Sequence, residues 1–374
     1  MTLPSDRARA VLALLAAVIA APAHAQSERG YALRFEPPAR EALAMTSVEA
    51  HDLLMTALLV RIGDGEPVPQ DLRVQLRTRA EATLADEWEP AAGRIRRRFV
   101  DVAGRMRLVD PASVDEESGE GSGQEVALSS PCVGVSVAFQ PAEGQPDGYG
   151  RHYDGKALRE PLLPRLAVPF DWSEVLPPAA AGSASGAVSL GAKWALPPEA
   201  MEPLLAPTGF LPWRGGKKAD PQMLRAHAFG VGGNLQIGFD GQVSGKAEAR
   251  LTEVGGDPVT GRYAVITYTF AIDLEADRSD FVAERRLERE RNYTARGARL
   301  RARLEGECTL RWGLDVDLPI AVDLRADETV EMTVRVQPEA GEEMEQTMRM
   351  EGLLLNTLRF RTIPRSPSRR AEGR

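Results

Sequence analysis

The chain has 374 residues, with 54 acidic and 46 basic side chains and a formal net charge of −8 at pH 7. Hydrophobic residues make up 43% and charged residues 27%, a balance that excludes bulk disorder, collagen-like repeats and a polytopic membrane protein. The acidic excess argues against a general nucleic-acid binder, because neutralising phosphates requires a basic surface. Four histidines and two cysteines leave little material for a His/Cys metal centre.

Residues 1–25 have the pattern of a secretory signal peptide. Arg7 and Arg9 give a positive start, and residues 11–21 form an uncharged apolar run. Ala23 and Ala25 then supply the small residues that precede a cleavage site. The apolar run is shorter than the roughly 20 residues of a membrane-spanning helix, so we expect cleavage rather than anchoring. The sequence therefore predicts an exported protein, periplasmic or extracellular, with no transmembrane span in the mature chain.

Apolar and polar side chains alternate with a period of two through most of the remaining chain. The alternation runs through residues 31–35, 72–84, 133–139, 300–312 and 330–336. Such alternation is typical of strands with one face on a core and one in water, which belong to antiparallel sheets. We therefore predict an all-β, mainly antiparallel protein with few short helices. Its strands would form a large curved sheet, a half-barrel or a two-sheet sandwich.

Composition divides the chain into five parts. They are a signal peptide (1–25), an N-terminal strand set (26–109), a Pro/Gly-rich middle (110–234), a C-terminal strand set (235–362) and a disordered basic tail (363–374).

The middle part has three recognisable features. Residues 110–124 are acidic and rich in Gly and Ser, which predicts a solvated loop, and residues 144–155 predict another polar loop. The segment PPEAMEPLLAP, which begins at Pro197, predicts a short helix, since Pro is tolerated in a first turn. In the C-terminal strand set, the charged run 279–292 predicts a second helix.

Cys132 and Cys308 are the only cysteines. An oxidising compartment would allow one disulfide between them, and the alternative is two separate thiols buried as small hydrophobic groups. Both alternatives stay open at this point, because a sequence does not establish that two cysteines are close together.

Patterns for catalysis are incomplete. The sequence has no Gly-x-Ser-x-Gly elbow, no His-Glu-x-x-His pair and no phosphate-binding loop. His152 with Asp154 would suit a general base oriented by a carboxylate, although a solvated loop histidine is the simpler interpretation. His51 and His227 lie in mixed apolar contexts and are interpreted as structural. We therefore predict no enzyme, no catalytic or metal-binding residues and no cofactor.

Three short strings in the chain resemble a group of exported, β-rich bacterial proteins with no assigned function. The first runs from Trp88 to Phe99, the second is Phe170-Asp171-Trp172 through Pro177, and the third is Val188-Ser189-Leu190-Gly191-Ala192-Lys193-Trp194 with Leu196-Pro197 after it. Ala192 stands where that group usually has an Asp. The resemblance implies an exported β protein and supplies no catalytic residue to carry over.

Four aromatic residues are the candidate ligand-binding side chains, namely Trp172, Trp194, Phe210 and Trp213. They either share a buried cluster in the core, which is the favoured interpretation, or line the mouth of a ligand site.

The predicted function is that of an exported, non-enzymatic protein of the cell envelope with a binding or scaffold role. A curved sheet would offer an apolar face that holds a lipid or another hydrophobic ligand. The first alternative is an envelope hydrolase that uses His152 and Asp154, and the second is a purely structural partner in an assembly. The expected partners are a hydrophobic ligand or an envelope protein, and not a nucleic acid.

Overall fold

The computed structural model describes residues 30–114, 123–143, 148–154, 166, 168–178, 187–209, 211, 213–215, 239–277, 279, 293–338 and 340–365. The signal-peptide pattern, Phe210 and His227 lie outside these residues. So do residues 280–292 of the predicted helix and residues 366–374 of the predicted tail, whereas Ile363 and Pro364 of that tail belong to a strand.

Long strands dominate the described part of the chain. They are β1 (Tyr31–Ala32), β2 (Glu41–Ile62), β3 (Val68–Pro69), β4 (Gln75–Glu89), β5 (Arg94–Val109), β6 (Gly123–Ser129), β7 (Ser136–Pro141), β8 (Tyr149–Asp154), β9 (Ala187–Val188), β10 (Lys193–Leu196), β11 (Arg214–Gly215), β12 (Gln242–Asp257), β13 (Gly261–Asp277), β14 (Tyr293–Gly313), β15 (Leu318–Pro338) and β16 (Met344–Pro364).

Helices are short in the described residues. There are 3₁₀ turns at Pro90–Ala92, Pro111–Ser113, Trp172–Val175 and Pro198–Met201, and one α-helix, α1 (Glu202–Leu205). The last turn and α1 confirm the short helix predicted after Pro197. None of these helices is long and apolar enough to cross a membrane.

Fourteen of the described strands pair into one sheet, and every pairing is antiparallel. The order along its main path is β10-β12-β13-β14-β15-β16-β2-β4-β5-β6-β11, while β1 and β9 form a separate two-stranded sheet. The join between the two strand sets is the pairing of β16 with β2, which runs from Met344 opposite Ile62 to Pro364 opposite Glu41. The all-β, antiparallel prediction is confirmed, with one continuous sheet in place of a sandwich.

The two faces of this sheet have different chemistry. On β13 the side chains of Ile266, Phe270 and Ile272 are buried on one face, here called the inner face. The outer face carries charged side chains that oppose one another across neighbouring strands, in the row Glu275, Arg301, Glu331 and Arg349. Alternating charges in cross-strand register suit contact with water, so the core lies on the inner face.

The inner face is concave. Trp88 on β4 and Trp312 on β14 lie four strands apart, yet both contact Phe35, with ring centroids 5.8 Å and 6.4 Å from it. In a flat sheet, four strand spacings would separate the two tryptophans by roughly 19 Å. A single phenylalanine bridges them because the sheet curves around the core.

A segment of residues 193–215, here called the strap, reaches both ends of the sheet path. Its first strand, β10, pairs with β12 at one end, and its last strand, β11, pairs with β6 at the other. The strap buries apolar side chains in the core cluster, namely Leu196, Met201, Leu204, Leu205 and Leu211. The concave face is therefore covered by the chain itself, with little regular structure in the cover.

Two segments differ from their predicted structure. Residues 31–35 were expected to form a strand, but only Tyr31 and Ala32 pair, with β9. The loop predicted at 144–155 contains β8 (Tyr149–Asp154), which pairs with β7. In both cases pairing depends on a partner strand that the local sequence does not identify.

Candidate functional site

Polar side chains interrupt the apolar inner face on four neighbouring strands. We call them the polar patch, and they are Glu328 on β15, Asn356 on β16, Ser47, Glu49 and His51 on β2, and Thr78 on β4. The register places Asn356 opposite Glu49, and Leu354 lies opposite His51, which in turn lies opposite Thr78. All six side chains are buried, so the patch is enclosed within the core.

His51 is the centre of the polar patch. Its Nδ1 lies 2.6 Å from Oε2 of Glu328, and its Nε2 lies 2.9 Å from Oε1 of Glu49. Burial alone would lower the pKa of His51, but the charge and hydrogen bond of Glu328, together with Glu49, outweigh it and raise that pKa to about 10. The imidazole is therefore protonated at neutral pH and donates a hydrogen bond to each carboxylate.

The contacts of His51 with Glu49 and Glu328 hold one positive and two negative groups together. Their arrangement does not fit a metal ion or a nucleophile. The two carboxylates contact opposite nitrogens of one imidazole ring, so the three groups do not converge on a common point. Among the described residues, no group of three His, Cys, Asp or Glu side chains is placed to hold a metal ion. Ser47 has no hydrogen bond to His51, because both ring nitrogens already contact carboxylates.

Within the part of the chain that the structure describes, four atoms of the polar patch are buried without a hydrogen-bond partner. They are Ser47 Oγ, Thr78 Oγ1, Glu328 Oε1 and Asn356 Oδ1. A buried polar atom left unsatisfied costs about 1–3 kcal/mol, so such atoms normally contact water or a ligand. By contrast, the buried Arg97–Asp86 pair on β5 and β4 is bidentate, with two N–O distances of 2.8 Å.

The polar patch lies beside the cover of the inner face. Asn356 Nδ2 donates a hydrogen bond of 3.0 Å to the carbonyl of Leu204 in α1. On the other half of the face, Tyr268 donates its hydroxyl to the carbonyl of Val175, at 3.0 Å. These two contacts attach the strap and the turn at Trp172–Val175 to the sheet.

Three of the four predicted aromatic side chains lie in or against the core. Trp172 is 4% exposed and packs edge-on against Phe360, with ring centroids 5.0 Å apart. Trp194 on β10 is 6% exposed, and its indole Nε1 has no hydrogen-bond partner among the described residues. Trp213 packs over Gly104, where an added Cβ would lie 3.1 Å from the indole ring. Phe210 lies outside the described residues, and ligand binding by these residues stays a prediction.

The residues considered for other roles lie apart from the polar patch. His152 is exposed on β8, opposite Ala138, and the side chain of Asp154 is not among those described. Cys132 and Cys308 are both buried and are not joined by a disulfide. Of the two alternatives, the structure therefore has two separate buried thiols. Burial raises the pKa of the Cys308 thiol, which keeps it protonated and unreactive.

The sequence contained a signal for the polar patch. Glu328 stands at one of the inward-facing positions of β15, and the other inward positions include the apolar residues Leu324, Ala326, Val330 and Met332. Glu49 and His51 are two residues apart, which puts both on one face of a strand. The partnership of His51 with Glu328 spans 277 positions, and no local pattern predicts it.

The outer face has an open groove of about 430 Å³ across β12 to β15, lined by charged and polar side chains such as Asp273, Glu275, Arg301 and Arg303. These side chains are engaged in cross-strand ion pairs with one another. These charges of the groove are therefore already engaged within the protein.

Comparisons with known proteins do not identify a family. No protein-family model matches the sequence, and no curated protein matches it significantly. Similar solved structures include an outer membrane channel from Pseudomonas putida F1, with 10% identity over 89% of this chain and 98% of that one, at a TM-score of 0.26. The Salmonella secretin InvG gives 8% identity, 88% and 67% coverage and a TM-score of 0.15, and Salmonella typhi OmpF gives 8%, 88% and 100%, also at 0.15. At these TM-scores the similarities carry no argument about function.

Proposed function

We propose that this chain is an exported, non-enzymatic binding protein of the cell envelope that holds a hydrophobic ligand against the concave inner face of its sheet. One observation carries the proposal. A concave face that is apolar apart from the polar patch is covered on its open side by the strap, rather than by a second sheet. The leader pattern of residues 1–25 supports export.

Ligand entry requires the strap and the turn at Trp172–Val175 to separate from part of the inner face. Its described polar contacts with the inner face include the Tyr268–Val175 and Asn356–Leu204 hydrogen bonds, each worth about 0.5–1.5 kcal/mol. The strap also packs apolar side chains such as Leu204 and Leu205 into the core, and a ligand tail can replace these at little cost because both are apolar. A hydrophobic ligand would thus take the place of part of the strap.

The proposal is tested by titrating the purified full chain, free of detergent, with N-phenyl-1-naphthylamine, a dye that fluoresces in apolar sites. We expect saturable binding at one site or a few sites per chain. A linear, unsaturable rise in fluorescence would contradict the proposal, and such a rise together with a stable oligomer would favour the purely structural role.

Two tyrosines on opposite faces of β13 provide a matched pair of variants. Tyr268→Phe removes the hydroxyl that attaches the cover at Val175, so we expect faster dye association. Tyr263→Phe removes an outer-face hydroxyl that bonds to Glu253, and we expect no change in dye kinetics. Equal effects of the two substitutions would contradict binding beneath the cover.

A further inference from the structure

The unpartnered atoms of the polar patch share one chemical character. Glu328 Oε1 and Asn356 Oδ1 are hydrogen-bond acceptors, and the hydroxyls of Ser47 and Thr78 are able to accept as well as donate. Glu328, Asn356 and Ser47 are each 1% exposed and Thr78 is 5% exposed. The patch therefore lacks donors, not acceptors.

The charge of the polar patch also favours a ligand that carries hydrogen-bond donors. His51 contacts both Glu49 and Glu328, so one cation faces two carboxylates. Among the described residues, neither carboxylate has an ion-pair partner besides His51. A second cation would balance this excess of negative charge, because buried charges are normally paired.

The surroundings of the polar patch are apolar. On the neighbouring strands β13 and β14 the inner face presents Ile266, Phe270, Ile272, Leu300 and Leu304, all buried. A ligand that satisfies both regions has an apolar tail and a small, cationic head with several N–H donors. An ammonium group has three such donors and no acceptor.

We infer that the ligand is an amphiphile with a primary ammonium headgroup, whose head donates hydrogen bonds to Glu328 and the other unpartnered acceptors of the polar patch while its tail lies along β13 and β14. This inference rests on the proposed function, since it names the class of ligand for the same concave face. An anionic head would be repelled by the carboxylates. A hydroxyl head would supply one donor and no charge.

The test compares amphiphiles of equal chain length on the full chain. Dodecylammonium, dodecanol and dodecanoate are used at pH 7, below the concentrations at which they form micelles, to displace N-phenyl-1-naphthylamine. We expect dodecylammonium to bind at least about tenfold more tightly than the other two, the ratio that one charge-assisted contact supplies. Butylammonium supplies the head without a tail and should bind far more weakly.

Variants on the two faces of β15 locate the headgroup. Glu328→Gln keeps the shape and removes the charge, so dodecylammonium affinity should fall about tenfold while dodecanol affinity is unchanged. Glu331→Gln, on the outer face of the same strand, should change neither. If Glu328→Gln does not fold, the near-isosteric Thr78→Val serves instead, with an expected loss of about threefold for the ammonium ligand.

The outcomes separate this inference from the proposed function. Equal affinity for the three dodecyl compounds would overturn the ammonium head and leave hydrophobic binding intact. Binding of butylammonium as tight as that of dodecylammonium would overturn the amphiphile. Failure of all three dodecyl compounds to displace the dye, or failure of the dye itself to bind, would overturn both.

Discussion

The two halves of the inner face differ in the chemistry of their buried side chains. On β13 the buried inward side chains are apolar or, in Tyr268, have their polar atom bonded. On β15, β16, β2 and β4 the same face contains a buried imidazole and two carboxylates, and four polar atoms of the patch have no partner among the described residues. The contribution of apolar burial to the stability of the fold explains the inward side chains of β13. The second half has buried polar groups where apolar side chains would pack as well, and this is the reason for the binding role proposed above.

The largest expected effect comes from removing the centre of the polar patch. His51→Leu leaves Glu49 and Glu328 buried without their cation, so the free energy of unfolding should fall by about 3–5 kcal/mol. Urea unfolding followed by circular dichroism measures the change.

A triple variant serves as its control. Glu49→Met, His51→Leu and Glu328→Met together replace the ionic cluster with apolar side chains, and we expect most of the lost stability to return. If the triple variant is as unstable as His51→Leu, the polar patch contributes to stability and the contrast between the two halves fails.

The apolar half should respond to cavity formation. Leu304 on β14 is 0% exposed, so Leu304→Ala should lower the free energy of unfolding by about 2–5 kcal/mol. Leu355 on the outer face of β16 is 43% exposed, and Leu355→Ala should change it by less than about 0.5 kcal/mol. Similar losses from the two substitutions, measured by urea unfolding, would contradict the assignment of faces.

Stability should also depend on pH through the polar patch. The pKa of His51 is about 10 in the folded chain and 6.5 without the fold, so its contribution is complete below pH 6.5 and is lost as the pH rises towards 10. Between pH 6.5 and 8.5, the free energy of unfolding should fall by up to about 1.4 kcal/mol for each pH unit.

The triple apolar variant isolates this contribution from other groups. It should show a flatter pH dependence than the wild type over the same window. The window stops at pH 8.5 because burial also raises the pKa of Cys308 and Tyr268, which destabilises the fold at higher pH. Parallel pH profiles for the two proteins would show that His51 is not held in its charged form.

The smallest effects belong to the outer face. Arg301 pairs with Glu275 and Glu331 across the strands, and its side chain is 49% exposed. Arg301→Ala should therefore lower the free energy of unfolding by at most about 1 kcal/mol, and by less in high salt. A loss comparable to that of Leu304→Ala would mean that the outer face is not simply solvated.

Sequence patterns predicted the fold better than they predicted the site. Strict alternation marked β14 and β15, because each of these strands contacts water on one face. It did not mark β2, one of the longest strands, because Ser47, Glu49 and His51 occupy its inward positions. These residues of the polar patch thus break the apolar-polar alternation by which β2 would have been predicted.

Those patterns do not predict which distant strands pair with each other. The single sheet depends on β16 pairing with β2, and the polar patch depends on the same pairing. Local periodicity fixes which face a residue occupies, but not which strand lies next to it. His51 was interpreted as structural for this reason, since its partner Glu328 is 277 positions away.

Native mass spectrometry of the exported, detergent-free protein, followed by organic extraction, determines whether the concave face holds a ligand. We expect a stoichiometric adduct that organic solvent removes, and the extracted compound should have an apolar tail. A chain with the bare mass of its mature sequence, which also fails to take up added N-phenyl-1-naphthylamine, would contradict a ligand-binding function for the concave face.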